Sequence, residues 1–254
     1  MTISSKIITP RAGNISVSRQ TNLGVADYDL DQLYSPDNAY AQSCVLDLAS
    51  PKYSPNKTYI FDKSRYGNHG TITGATRVRL PSGLWVLNFD GDDSVSIASS
   101  IQPLAAQGTI EIWAYMANWA DNTQRVIFDT TDVGGINRLL IRKQTNNTPL
   151  FYGGASGELS IEGASALSGS GWKFWVATYA TNNCAFRINA VSIGTDNVVT
   201  VPTFTTGLVK LGRTADGPAA FFNGQQALHR INNAVLSTAV TDGHFNQERS
   251  YFGI

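Results

Sequence analysis

The sequence predicts an all-β fold, a jelly-roll β-sandwich of two antiparallel sheets with an extended N-terminal arm and one short C-terminal helix. Three observations carry this. Short β-prone runs punctuated by Gly, Pro, Asn and Asp recur from Cys44 to Ile231, and a helix signal appears only after them. Residues 109–116 alternate strictly, with Ile110, Ile112, Ala114 and Met116 on one face and Glu111, Trp113 and Tyr115 on the other, as in a central strand. Leu87-Asn-Phe-Asp-Gly-Asp-Asp-Ser-Val-Ser-Ile97 reads as strand, acidic turn, strand, with one apolar face.

Taken in order, residues 44–48 and 58–61 are the first strand candidates. Between 62 and 70 lies a tight turn, Asp62-Lys-Ser-Arg-Tyr-Gly-Asn-His-Gly70, in which Gly67 and Gly70 can take positive φ and Asp62, Ser64 and Asn68 can bond nearby backbone. Strands over 71–72 to 78–80 and over 84–89 flank the turn Pro81-Ser-Gly83. Beyond the central strand, 125–129 and 138–142 read as a hairpin, followed by 150–152 and 158–161. Residues 172–179 and 184–189 flank Thr181-Asn-Asn183, which has hairpin-turn chemistry. Strands over 189–193, 207–212 and 227–231 complete the set, and Ser237 is the expected N-cap of a helix reaching about Arg249. Ile110, Ile112 and Val176 are expected in or near the core.

At 254 residues the chain is long enough for one large β domain, and residues 43–254 are assigned to it. Its formal net charge is zero and only 15% of residues are charged, which argues against nucleic acid and anionic membrane surfaces as partners. No apolar run is long enough for a membrane span. The N-terminus has no long apolar core or small-residue cleavage site, so no signal peptide is expected. Residues 1–42 are polar, with scattered β-prone pieces at Ile3, Ile7-Ile8 and Ile15-Ser-Val17, and cannot form a core of their own. They are expected to be an arm that binds a protein partner, with exchange between like subunits of a homo-oligomer as one form. Cys44 and Cys184 are read as buried small hydrophobes, with a disulfide as the alternative.

The two opening blocks resemble those of a laminin-G-like (concanavalin A-like) domain. Further pieces follow in family order: Thr109-Ile-Glu-Ile-Trp113, Trp172-Lys-Phe-Trp-Val-Ala-Thr-Tyr179, Phe186-Arg-Ile-Asn189, the strand from Leu208 to Gly212, and the stretch from Phe222-Asn-Gly224 to Leu236-Ser237. The resemblance implies the sandwich fold, and a function anywhere among lectins, glycosidases and structural modules. It departs at Ala227 and Leu228, where the family usually has an acidic pair. In relatives that bind calcium, such acidic groups supply ligands. The remaining calcium candidates are Asp90, Asp92 and Asp93, which equally suit a solvated hairpin tip.

Glycoside hydrolysis needs two carboxylates about 5–9 Å apart across the scissile bond. Glu111 has no second acid on its strand, and Glu158 and Glu162 are poorly spaced, so no catalytic residues are assigned. His69, His229 and His244 are isolated and suggest no zinc site. For sugar binding, an aromatic platform beside amides and charged groups is the expected chemistry. Trp119, Asp121, Asn122, Arg138 and Tyr152 are the candidates, with Asn146 and Asn147 nearby, whereas Trp85, Trp113, Trp172 and Trp175 belong to strands. Two functions are therefore expected of a non-catalytic domain. One is a decoration or surface-display protein of a phage-like particle, anchored by its arm. The other is a carbohydrate-binding module on a secreted or cell-surface protein.

Overall fold

A computed structural model describes residues 43–48, 58–97, 106–132, 137–154, 159–197, 207–215 and 219–254. The arm assigned to residues 1–42, and Glu158, lie outside the described residues. In chain order the strands are β1 (Cys44–Leu48), β2 (Tyr59–Ile60), β3 (Gly70–Thr73), β4 (Thr76–Arg79), β5 (Trp85–Asp90), β6 (Ser94–Ile97), β7 (Gln107–Met116) and β8 (Arg125–Asp132). There follow β9 (Arg138–Lys143), β10 (Pro149–Gly153), β11 (Leu159–Glu162), β12 (Gly171–Ala180), β13 (Cys184–Ile188), β14 (Val191–Asp196), β15 (Gly207–Leu211) and β16 (Asn223–Asn232). Helix α1 (Thr238–Glu248) and a 3-10 turn (Arg249–Phe252) close the described chain. No helix among these residues is long and apolar enough to cross a membrane.

The strands form the expected two antiparallel sheets. The first has the order β14-β13-β12-β7-β16-β5-β4, with β1 also paired to β16; the second has the order β11-β10-β9-β8-β15-β6-β3-β2. Alternation decides what lies between them. Ile110, Ile112, Ala114 and Met116 face inward and meet Ile127, Phe128, Leu139, Ile141, Phe151, Val209 and Leu211 of the second sheet in one apolar core. Trp175, opposite Ile112 in register, joins this core, and its neighbour Val176 points the other way.

The outward face of the first sheet is also buried. Trp113, Trp172, Phe174 and Val176 form a second apolar cluster with Phe252, and Phe245 of α1 packs on it. Trp113 stacks on Phe252 with ring centroids 4.1 Å apart. This explains the two-sided hydrophobicity of β7 and β12: one face meets the other sheet, and the other meets the helix. The expected helix is present, although Ser237 caps it through its backbone carbonyl, which accepts from the N–H of Val240 and Thr241, and not through its hydroxyl.

One local expectation is corrected and one strand is irregular. Asn189 and Ala190 do not begin a strand; both have positive φ (52° and 63°) and form the tight turn between β13 and β14. In β16 the register shifts between Ala227 and Arg230, with Leu228 at φ 48°. This bulge puts two apolar residues, Ala227 and Leu228, into the cluster under the helix. The opening turn acts as a staple. The Asp62 carboxylate accepts from Asp47 N–H (2.8 Å), Ser64 N–H (2.9 Å) and Asn68 N–H (2.7 Å), fixing the run from β2 to β3 against β1.

Candidate functional site

The loop between β7 and β8 does not present an aromatic platform. Trp119 is fully buried, packed against Trp175 at 5.6 Å, with its Nε1–H donating to the Gly171 carbonyl and Lys173 over its ring. Its indole therefore serves the core, which corrects the expectation of an exposed ring. Asp121 and Asn122 are committed to internal partners as well. Asp121 pairs with Arg125 (2.9 Å) and with the fully buried Lys143 (2.6 Å). Burial acts to raise the Asp121 pKa, but hydrogen bonds from Lys143, Thr123 and Arg125 hold it below the usual carboxylate value. Asn147 accepts from Lys143 Nζ (2.8 Å) and from Asn122 N–H (3.0 Å), and donates to Asn122 Oδ1 (2.7 Å). Both asparagines take positive φ, as short amides tolerate, so this network pins the β7–β8 loop to the β9–β10 turn.

Arg138 and Tyr152 lie elsewhere, together, on the outward face of the second sheet. Tyr152 stands opposite Leu140, and Arg138 and Arg142 flank Leu140 on the same side of β9, so both lie diagonal to Tyr152, ~7–8 Å away. Leu140 is buried beneath them and Tyr152 is half-buried. Arg138 grips the buried Asp129 with Nε (2.8 Å) and Nη2 (2.5 Å), and Ala215 N–H donates to the same carboxylate at 2.7 Å. Arg142 donates from Nη2 to Gln144 Oε1 at 3.3 Å. On the adjoining strand Glu162 accepts from Thr148 Oγ1 (2.5 Å) and Asn146 Nδ2 (3.2 Å), and these bonds hold its pKa below the usual value. The result is a half-buried tyrosine with two guanidinium groups and a carboxylate at diagonal positions on its neighbouring strands.

Arg142, Gln144 and Glu162 were not legible as site residues. Arg142 shares strand parity with Arg138, which is the one sequence signal available, but its nearness to Tyr152 depends on the β9–β10 register.

The remaining candidates are the acidic turn, Glu111 and the two cysteines. Ligand atoms of Asp90, Asp92 and Asp93 lie within 4.8 Å of one another. Asp93 Oδ2 accepts from Asp90 N–H (2.9 Å), and a Cβ at Gly74, whose φ is +82°, would fall 1.8 Å from Asp93 Oδ1. Three carboxylates, one already wedged into the turn, fall short of the six to eight oxygens that calcium takes. Asp92 is raised in pKa by hydrogen bonding and charge from Asp90, and Asp93 by burial and then by Asp90, as crowded carboxylates are.

Glu111 is fully buried under α1, where Arg230 Nε (3.2 Å) and His244 Nδ1 (2.8 Å) hold it, so it faces no substrate. Burial acts to raise its pKa, yet Arg230 and His244 keep it below the usual value. Cys44 and Cys184 are both free thiols, donating to the carbonyls of Leu46 and Ala180, and burial pushes Cys44 up to about 12.

A sequence profile of the concanavalin A-like lectin/glucanases superfamily matches residues 89–240. The chain belongs to this superfamily. No curated protein matches the chain in sequence. Among solved structures, this superfamily member is similar to botulinum neurotoxin type C, in a structure concerned with two ganglioside molecules in cell entry (TM-score 0.63, 16% identity, 82% of this chain and 52% of that one). It is similar also to the binding domain of botulinum neurotoxin DC in complex with rat synaptotagmin II (TM-score 0.62, 18% identity, 82% and 52% covered). The serotype C1 binding domain gives a TM-score of 0.64 at 16% identity, with 82% and 53% covered. The concanavalin A-like chain thus spans about half the length of these structures, and at such identities the likeness is one of fold.

Proposed function

We propose that this superfamily member is a non-catalytic, carbohydrate-binding module that presents the outward face of its second sheet to a glycan. The observation that carries this reading is the half-buried Tyr152 with Arg142 and Glu162 at diagonal positions on the strands to either side of it. A ring face suits the apolar side of a pyranose, and the polar groups around it suit its hydroxyls. The superfamily includes lectins, and the type C toxin with a similar sandwich is described as interacting with gangliosides. The acid on the central strand, Glu111, is occupied by Arg230 and His244, which favours binding over hydrolysis.

The test is a glycan array followed by titration calorimetry. Tyr152→Ala is expected to weaken any sugar bound by about tenfold or more, and Asp92→Asn, on the acidic turn, to leave it unchanged. Reducing ends released from β-glucans, and lost in Glu111→Gln, would overturn the non-catalytic reading. The weakly charged composition also favours decoration or display on a phage-like particle, with residues 1–42 as anchor. Detection of the chain in purified particles, and its loss when residues 1–42 are deleted, tests that setting separately.

A further inference from the structure

Arg142 is half-buried on the second sheet and pairs with no carboxylate among the described residues. Its hydrogen bond to Gln144 Oε1 leaves Nε buried without a partner. The carboxylates around it make no contact ion pair with it: Asp129 is held by Arg138 and the Ala215 N–H, and Glu162 accepts from Thr148 and Asn146, so both act on Arg142 only from a distance. The nearby arginines contrast with it, since Arg138 and Arg125 each hold an aspartate. Burial, and then the charge of Arg138, press the Arg142 pKa downward against the opposing charges of Asp129 and Glu162. A guanidinium does not shed its proton in a protein, so Arg142 stays charged with no carboxylate in contact and has donors to offer an anion.

We propose that the sugar bound on this face carries a carboxylate, which Arg142 receives while Tyr152 packs against the pyranose ring. This inference rests on the reading of the face as a sugar site and goes further, to the class of sugar. The planar guanidinium matches a carboxylate in a two-point contact, whereas a neutral hydroxyl leaves the charge uncompensated. Uronic and sialic acids offer this chemistry on a ring.

The experiment compares acidic and neutral partners on the full chain by titration calorimetry: sialyllactose against lactose, and oligogalacturonate against neutral galacto-oligosaccharide. The acidic member of at least one pair is expected to bind about tenfold more tightly, with the gap narrowing as salt rises. Arg142→Gln should abolish the gap between acidic and neutral sugars. Arg142→Lys should keep part of it. The melting temperature of each variant verifies that the fold is retained. Equal affinity within both pairs, a preference that survives Arg142→Gln, or a preference for a sulfated over a carboxylated sugar overturns the carboxylate assignment. In those cases a loss of binding in Tyr152→Ala still upholds the sugar site. Binding of neither member, on the array or in solution, overturns both.

Discussion

The sandwich has two outward faces, and they differ in how fully their charges are paired and covered. On the first sheet, Arg230 reaches Glu111 and Glu248, Glu248 also accepts from Trp113 Nε1 (2.7 Å), and His244 completes the set. Helix α1 and Phe252 close over this network. On the second sheet, Arg142 stays half-buried without an anion beside a half-exposed tyrosine. Charges that satisfy one another under a lid hold an element in place. A guanidinium with no anion in contact, on a face that no helix covers among the described residues, is poised for something that arrives from outside.

Mutations on the covered face should be the most damaging. Arg230→Ala leaves Glu111 and Glu248 buried without their cation and should cost about 3–5 kcal/mol in urea unfolding. A loss under about 1 kcal/mol would mean that the network is not what holds the helix. Phe252→Ala removes the ring stacked on Trp113 and tilted against Trp172, and about 3 kcal/mol is expected, with faster amide exchange in α1 than in β7.

A pH series sharpens the contrast. Asp47, opposite Arg230 in register, is raised from 3.8 to about 7, by burial first. The folded state therefore holds its proton more tightly than the unfolded chain. That contribution is complete below the unfolded value and is lost as pH rises through the folded value of about 7. Asp47→Asn should remove this decline between acid and neutral pH and gain ~1–2 kcal/mol above neutrality. His229, inside the core with its Nε2 against Gln226, is lowered from 6.5 to about 3 by burial, so it acts with the opposite sign. Its contribution is full above the unfolded value and is lost as pH falls toward about 3. The smallest effect belongs to the other face. Arg142→Gln should change unfolding free energy by no more than about 0.5 kcal/mol, and a drop of the Arg230 size would erase the distinction between the faces.

The alternation in residues 109–116 made β7 readable because a central strand shows its period directly, and both of its faces proved buried as different clusters. The destination of the outer face was not readable. Helix α1 docks through Phe245, His244 and Glu248, a mixture with no apolar stripe to reveal it. Trp119 misled for a local reason, since its neighbours Asn118, Asp121 and Asn122 are those of a surface loop while its ring folds back onto Trp175. Arg138 and Tyr152 were legible as residue types. Their meeting with Arg142 was not, because it comes from pairing between strands and not from spacing along one.

The position of β16 has a kinetic consequence. It is the last strand made, yet it lies between β7 on one side and β5 and β1 on the other. Cys44 meets Asn232 across nearly the whole described chain. A chain emerging from the ribosome cannot seal its first sheet until this strand appears, and until then β7 and β5 expose open edges. Folding should therefore wait for the end of synthesis of this region and proceed slowly, as topologies rich in distant contacts do. Nascent chains stalled before Asn223 should be the ones that chaperones and proteases capture.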